Sequence, residues 1–314
     1  MIVSKYGFMD SALSKSKKLI AGGTNSKHYV FNTDTNQLIL KFDKKYYSQF
    51  IRDDTCLLLV RPNAEFEVFD LAKQEVILKR KLPYPVELLL PHFCWDKSDV
   101  IYFEASNKMW KEDEKNWRLI KYDIGKDIFY EFSLEGNLVA CWKEYLVLSD
   151  DIATDDEEPN IILKFYKNGE LHRQIFIGNN EFRFVDDKLY VIKNTPTTVD
   201  VYEYLGDFSC NKVISINTDF KFLDYDLFDI SKKYVAIQFT KFDGYIEMID
   251  IKEWMNLAEK DDISDIIFVY RLSNNQLVFE QAVPYRKNIN LVDDKIYIGA
   301  MDRLYMFNLT EKNK

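Results

Sequence analysis

The sequence predicts an all-β protein, a seven-bladed β-propeller of four-stranded antiparallel blades whose N-terminal strand closes the last blade. Three observations carry this expectation. The composition favours strands, with 20 Tyr and 23 Phe against 10 Gly and 7 Pro in 314 residues. One phrase is written twice, as "VDDKLYVI" (185–192) and "VDDKIYIG" (292–299). A second phrase, an aromatic or aliphatic residue next to a polar one at the end of a strand, follows each variant of the first.

The first phrase is an apolar residue, a short polar turn, and an apolar-rich strand. Its variants are "LSKSKKLIAGG" (13–23), "IRDDTCLLLV" (51–60), "WDKSDVIYFEA" (95–105), "WKEYLVLSD" (142–150), the copy at 185, "ISKKYVAIQF" (230–239) and the copy at 292. The residue ahead of the turn is apolar each time: Leu13, Ile51, Trp95, Trp142, Val185, Ile230 and Val292. Asp and Lys come and go between copies while the apolar frame persists. The phrase therefore reads as a hairpin turn and not as a catalytic motif.

The second phrase is "VFN" (30–32), "VFD" (68–70), "KYD" (121–123), "KFY" (164–166), "VYE" (201–203), "MID" (248–250) and "MFN" (306–308). After most copies comes another β-rich run, such as "QLILKF" (37–42) or "EVILKRKL" (75–82). Each unit thus holds four strands over about 40–47 residues, the period of a propeller blade. Such repeats cannot bury their faces alone, so the copies predict one domain over 1–314.

The last unit ends after three strands at "LYMFNL" (304–309), and "MIVSKY" (1–6) precedes the first unit's innermost strand. Residues 2–6 are therefore expected to supply the missing outer strand. Between the sixth and seventh copies the chain is longer than elsewhere. There "IKEWMNLAEKDD" (251–262) reads as a short helical insertion with Ile251, Trp254, Leu257 and Ala258 on one face.

Phe69–Asp70 and Tyr122–Asp123 stand where WD repeats carry their Trp–Asp pair. With the period and strand pattern, this resembles the WD-repeat and quinoprotein-like group of β-propellers across essentially the whole chain. The WD tryptophan, its companion Gly–His pair and the recurring quinone-cofactor motif are absent, and Ala21–Gly23 holds a lone double glycine without kelch repetition. The resemblance implies a shape and no activity.

A net charge of −9 argues against nucleic acid and anionic membranes as partners. No apolar run reaches the roughly 18 residues that a membrane span needs, and the N-terminus lacks the features of a signal peptide. A cytoplasmic monomer is expected, with Cys56, Cys94, Cys141 and Cys210 as reduced thiols because no CxxC spacing occurs. No cofactor is expected.

His28, His92 and His172 share no spacing, and no HExxH, GxSxG, Walker or GxGxxG motif is present. These absences lean away from an enzyme. The enzyme alternative is a metal-dependent hydrolase of lactonase type, with Glu87, Glu135, Glu181 and Asp224 from four successive units grouping oxygens for a Ca²⁺-like ion. A further alternative is a small-molecule sensor.

The favoured reading is a non-enzymatic scaffold that binds a protein or peptide, with basic character expected of it. Its surface is built from long loops 106–118 and 149–160, which break the repeat in neighbouring units. The first offers Trp110 and Trp117; the second offers Asp150, Asp151, Asp155, Asp156, Glu157 and Glu158. Tyr84 and Tyr285 lie on proline-bearing connections of the same face. Aromatic anchors beside acids suit the capture and steering of a basic partner.

Overall fold

The structure is a computed structural model, which describes residues 2–4, 8, 10–83, 93–106, 117–132, 134, 136–154, 157–186, 188–195, 198–205, 207–217, 228–242, 263–283, 286–300 and 303–310. It is all-β, a seven-bladed β-propeller, and every blade is a four-stranded antiparallel sheet. No helix occurs among the described residues. The chain divides into two compact units, residues 12–180 and residues 1–11 with 181–314.

The first unit carries four blades, the boundary falling inside the first strand of blade one. Blade one is β2 (Asp10–Leu13), β3 (Leu19–Gly23), β4 (His28–Asn32) and β5 (Leu38–Phe42). Blade two is β6 (Tyr47–Ile51), β7 (Cys56–Val60), β8 (Glu65–Asp70) and β9 (Glu75–Lys81). Blade three is β10 (Phe93–Asp96), β11 (Val100–Ser106), β12 (Trp117–Asp123) and β13 (Ile128–Phe132). Blade four is β14 (Asn137–Trp142), β15 (Tyr145–Thr154), β16 (Glu157–Lys167) and β17 (Glu170–Gly178).

The second unit carries three. Blade five is β18 (Phe182–Val185), β19 (Lys188–Asn194), β20 (Thr198–Tyr204) and β21 (Cys210–Asn217). Blade six is β22 (Phe228–Ile230), β23 (Tyr234–Phe242), β24 (Ile263–Arg271) and β25 (Gln276–Val283). Blade seven is β26 (Arg286–Val292), β27 (Lys295–Ala300), β28 (Leu304–Asn308) and, from the other end of the chain, β1 (Ile2–Ser4).

Both sequence phrases mark turns. The first hairpin of a blade turns on residues with positive φ, between 50° and 65°, at Lys17, Arg52, Asp53, Asp54, Asp99, Lys143, Asp186 and Asp293. Asp tolerates this left-handed region because its short side chain bonds locally to the backbone. In blades one, two, three and seven the polar residue of the second phrase caps the turn that follows it. Asn32 Oδ1 accepts the amides of Asp34 and Thr35 at 2.9 Å, and Asp70 Oδ1 accepts those of Ala72 and Lys73 at 3.0 and 2.9 Å. Asp123 and Asn308 do the same for Lys126 and Thr310.

Middle strands are buried on both faces, as in the wholly buried β7, while outer strands such as β9 stay exposed. Apolar side chains of adjacent blades interdigitate; Phe66 of blade two packs on Phe103 and Tyr122 of blade three at 4.9 and 5.3 Å between ring centroids. Burying one such side chain contributes about 1.5–3 kcal/mol. The first turns then tie neighbours together by charge. Arg52 of blade two makes a bidentate pair with Asp99 of blade three, both bonds 2.9 Å, and this pair holds the Asp99 carboxyl below the usual range. Asp54 of blade two accepts the Lys15 and Ser16 amides of blade one at 2.8 and 2.7 Å. Asp294, inside the second "VDDK", takes Lys233 Nζ at 3.0 Å and the Tyr234 hydroxyl at 3.1 Å from blade six. In these pairs the solvated ends contribute modestly and chiefly set register.

Two expectations need correction. "MID" (248–250) is not the third strand of blade six: β24 pairs directly with β23 from Tyr234↔Arg271 to Phe242↔Ile263. The long interval therefore sits between second and third strands, and the helix expected at 251–262 lies outside the described residues. Nor are all the cysteines reduced. Cys94 and Cys141, on the innermost strands of blades three and four, form a disulfide across a Cα–Cα distance of 5.6 Å, leaving Cys56 buried and Cys210 exposed as free thiols. Their separation of 47 residues spans one blade, so the repeat itself brings them together.

His28 is a core residue, 1% exposed between the Phe42 and Tyr46 rings, whose centroids lie 6.2 Å away. Neither ring nitrogen makes a hydrogen bond of good geometry. Burial pushes the imidazole down to about 3, with the Tyr46 backbone opposing the shift and losing. The fold thus demands neutral His28, while the unfolded chain takes its proton near pH 6.5.

Closure of blade seven rests on the N-terminal segment. β1 pairs with β28 at Ile2↔Tyr305 and Ser4↔Leu304, and the fully buried Phe8 follows. Asn288 Nδ2 donates to the Phe8 carbonyl at 3.0 Å. Gly299 stands where the first "VDDK" copy has Ile192, and a Cβ there would lie 2.3 Å from that carbonyl. The missing side chain is what admits the backbone at Phe8, between β1 and β2.

Two outcomes are expected. Deleting residues 1–7, or replacing Gly299 with Ala, lowers Tm by about 5 °C or more, as loss of a few kcal/mol does in a chain of this size; an unchanged Tm would contradict the closure. In urea unfolding, wild-type stability relative to His28→Phe falls by about 1.4 kcal/mol per pH unit below pH 6.5, levelling off near pH 3. Parallel profiles would mean that His28 is not held neutral.

Candidate functional site

The repeat is broken on blades three and four, in the connection between second and third strands. In blade three that connection is 107–116, outside the described residues, and with it Trp110. Trp117 is not a loop residue: it opens β12, opposite Ser106 in the ladder. The pairing shortens the expected loop at both ends.

In blade four the expected loop 149–160 is mostly strand. β15 and β16 run on as a two-stranded ribbon with Ser149↔Leu163, Asp150↔Ile162, Asp151↔Ile161, Ile152↔Asn160 and Thr154↔Glu157. The flanking strands stop short: β14 begins at Asn137 opposite Ser149, and β17 ends at Gly178 opposite Ile161. Beyond those rungs the ribbon continues without neighbours in its own sheet. Ile152, Thr154, Ile161 and Ile162 explain why it is strand, since β-branched residues favour a pleated surface whatever charges lie between them.

The ribbon gathers the predicted acids. Asp150, Asp151, Glu157 and Glu158 occupy its strands, and Asp155 and Asp156, at its turn, lie outside the described residues. Asp150 forms an ion pair with Lys164, a half-buried lysine of β16 that the sequence reading did not single out. The Lys164 ammonium meets the charge of Asp150 directly.

Tyr84 and Tyr285 lie outside the described residues, as do Glu87, Glu135 and Asp224 of the metal alternative, and His92. Glu181 is exposed just ahead of β18, where its backbone carbonyl accepts the Ile192 amide at 2.9 Å. His172 is exposed on β17, its ring 5.3 Å from that of Tyr145. Among the described residues no group of three or more His, Cys, Asp or Glu is placed to hold a metal ion.

Comparison with known proteins follows the fold. No family model matches the chain. No curated protein matches either. Solved structures do match, 1247 chains in all, a breadth that selects an architecture and not a task. The chain resembles the β-propeller domain of Cps50 (Swd1) from Myceliophteria thermophila, at 11% identity and a TM-score of 0.60, over 99% of each chain. It resembles the computationally designed protein Ika8 at 12% identity and a TM-score of 0.59, over 97% of each chain. An uncharacterized protein of Listeria monocytogenes EGD-e gives 15% identity and a TM-score of 0.57, over 99% of this chain and 97% of the other. At such identities the likeness establishes a β-propeller fold and nothing finer.

Proposed function

We propose that the chain is a non-enzymatic interaction scaffold whose blade-four ribbon, with the neighbouring blade-three connection, takes a protein or peptide of basic character. The observation that carries this reading is the ribbon that outruns its own sheet with acids along both strands. Its free edges offer backbone groups for strand addition, and its carboxylates offer charge complementarity to Lys and Arg. Trp110 and Trp117, which the sequence offers, are assigned as its aromatic anchors.

A fluorescent lysine- and arginine-rich peptide, titrated by anisotropy at several salt concentrations, tests the proposal. Replacing Asp151, Asp155, Asp156, Glu157 and Glu158 by Asn and Gln should weaken binding at least tenfold and flatten its salt dependence. Neutralising five exposed acids elsewhere, Asp34, Asp43, Glu75, Glu131 and Glu170, should change it far less. Equal losses from the two variants would reduce the effect to net charge and sink the assignment.

A further inference from the structure

The disulfide joins blade four, which carries the ribbon, to blade three, at a different place on the blade. Cys94 of β10 is 4% exposed in an apolar cluster with Leu119, Leu138, Leu146 and Leu148. Cys141 of β14 is only partly buried. It lines a groove between blades three and four, about 320 Å³ in volume, that does not reach Cys94. Tyr102, Tyr145 and Tyr166 form part of the wall. The groove opens among the first turns of both blades and the β16–β17 turn, whereas the acidic ribbon grows from the β15–β16 connection.

The charges around the groove are Asp96, Lys121, Lys143 and Glu144. Glu144 is engaged by Lys167 at 3.0 Å. Asp96 caps its own turn, accepting the Ser98 amide at 2.6 Å. Lys121 and Lys143 form no ion pair among the described residues; Lys143 Nζ lies 4.5 Å from the centroid of the Trp142 ring, and Lys121 Nζ lies 6.0 Å from that of Tyr130. A polar, cation-bearing slot therefore leads to one sulfur of the pair and not to the other.

We propose that this groove is a thiol-exchange site, in which Cys141 is the sulfur attacked by a small anionic thiol of the glutathione class and Cys94 is the leaving group. A thiolate attacks along the disulfide axis, so access decides which sulfur is struck. The incoming thiolate forms a new bond to Cys141 Sγ as the Cys94–Cys141 bond breaks. The electron pair leaves on Cys94 Sγ, which takes a proton from water, and no further oxidant or reductant is consumed. Cys94 stays beside the mixed disulfide on the neighbouring innermost strand. Its return attack on Cys141 Sγ is therefore intramolecular, expels the small thiolate, re-closes the bridge and keeps the adduct at Cys141 transient. Exchange here unlinks the innermost strands of blades three and four and leaves a removable group in the groove.

The test uses the full chain with Cys210→Ser, so that its exposed thiol does not compete, and glutathione disulfide as the probe. Peptide mass mapping follows modification of Cys141 in Cys94→Ser and of Cys94 in Cys141→Ser. Cys141 should be glutathionylated at least 100-fold faster; equal rates, or a faster Cys94, would overturn the proposal. Reduced protein that keeps both cysteines serves as a check independent of either variant's folding: brief alkylation should label Cys141 before Cys94, and the opposite order would overturn it. The route is tested by Lys121→Gln with Lys143→Gln in the Cys94→Ser chain. The preference for anionic glutathione disulfide over cationic cystamine should drop at least threefold, and an unchanged ratio would remove the groove from the mechanism. These readouts do not depend on peptide binding at the ribbon, so the two proposals fail separately.

Discussion

A four-stranded blade cannot stand alone: its two faces are apolar and its outermost strands leave backbone groups unpaired. The whole structure follows from meeting that constraint. Faces are covered by the next blade, as Phe66 is by Phe103 and Tyr122. Register between blades is held by first-turn ties such as Arg52–Asp99 and Lys233–Asp294. The last blade is completed by β1, so its sheet is held by strands from both ends of the chain. Gly299 shows how specific this solution is, because the repeat gives up an apolar side chain there to let the Phe8 carbonyl pass.

The architecture was legible because its demands are periodic. Most first hairpins hold a polar residue at positive φ, and the third strands of blades one, two, three and seven end in an acceptor that caps the next turn, so both leave a recurring mark. "VDDK" proved richer than a solvated turn: Asp294 reaches back to blade six, and Lys188 of the first copy pairs with Glu203 at 2.8 Å. Such ties depend on which neighbour stands opposite, which one copy of the phrase does not disclose. The disulfide left a signal that spacing rules for CxxC overlook. "CW" occurs at Cys94–Trp95 and at Cys141–Trp142, the same place in consecutive repeats, and equal places on neighbouring innermost strands face each other.

The blade-four connection was misread in its form. Asp150 to Asn160 reads as loop because acids are poor strand formers, yet Ile152, Thr154, Ile161 and Ile162 hold a ladder through them. Between blades three and four the groove beside Cys141 supplies a chemically different surface. Blades three and four depart from the repeat side by side, and blade six departs from it in the long interval between its second and third strands.

The central claim is that the last blade is built from both ends of the chain, and native-state hydrogen exchange tests it most directly. If β1 is a true strand of blade seven, amides within residues 2–4 that pair with β28 exchange as slowly as those of Leu304–Asn308, and both accelerate together as denaturant approaches the global transition. Exchange of residues 2–4 at the rate of an unstructured chain, with 304–308 still protected, would contradict the account.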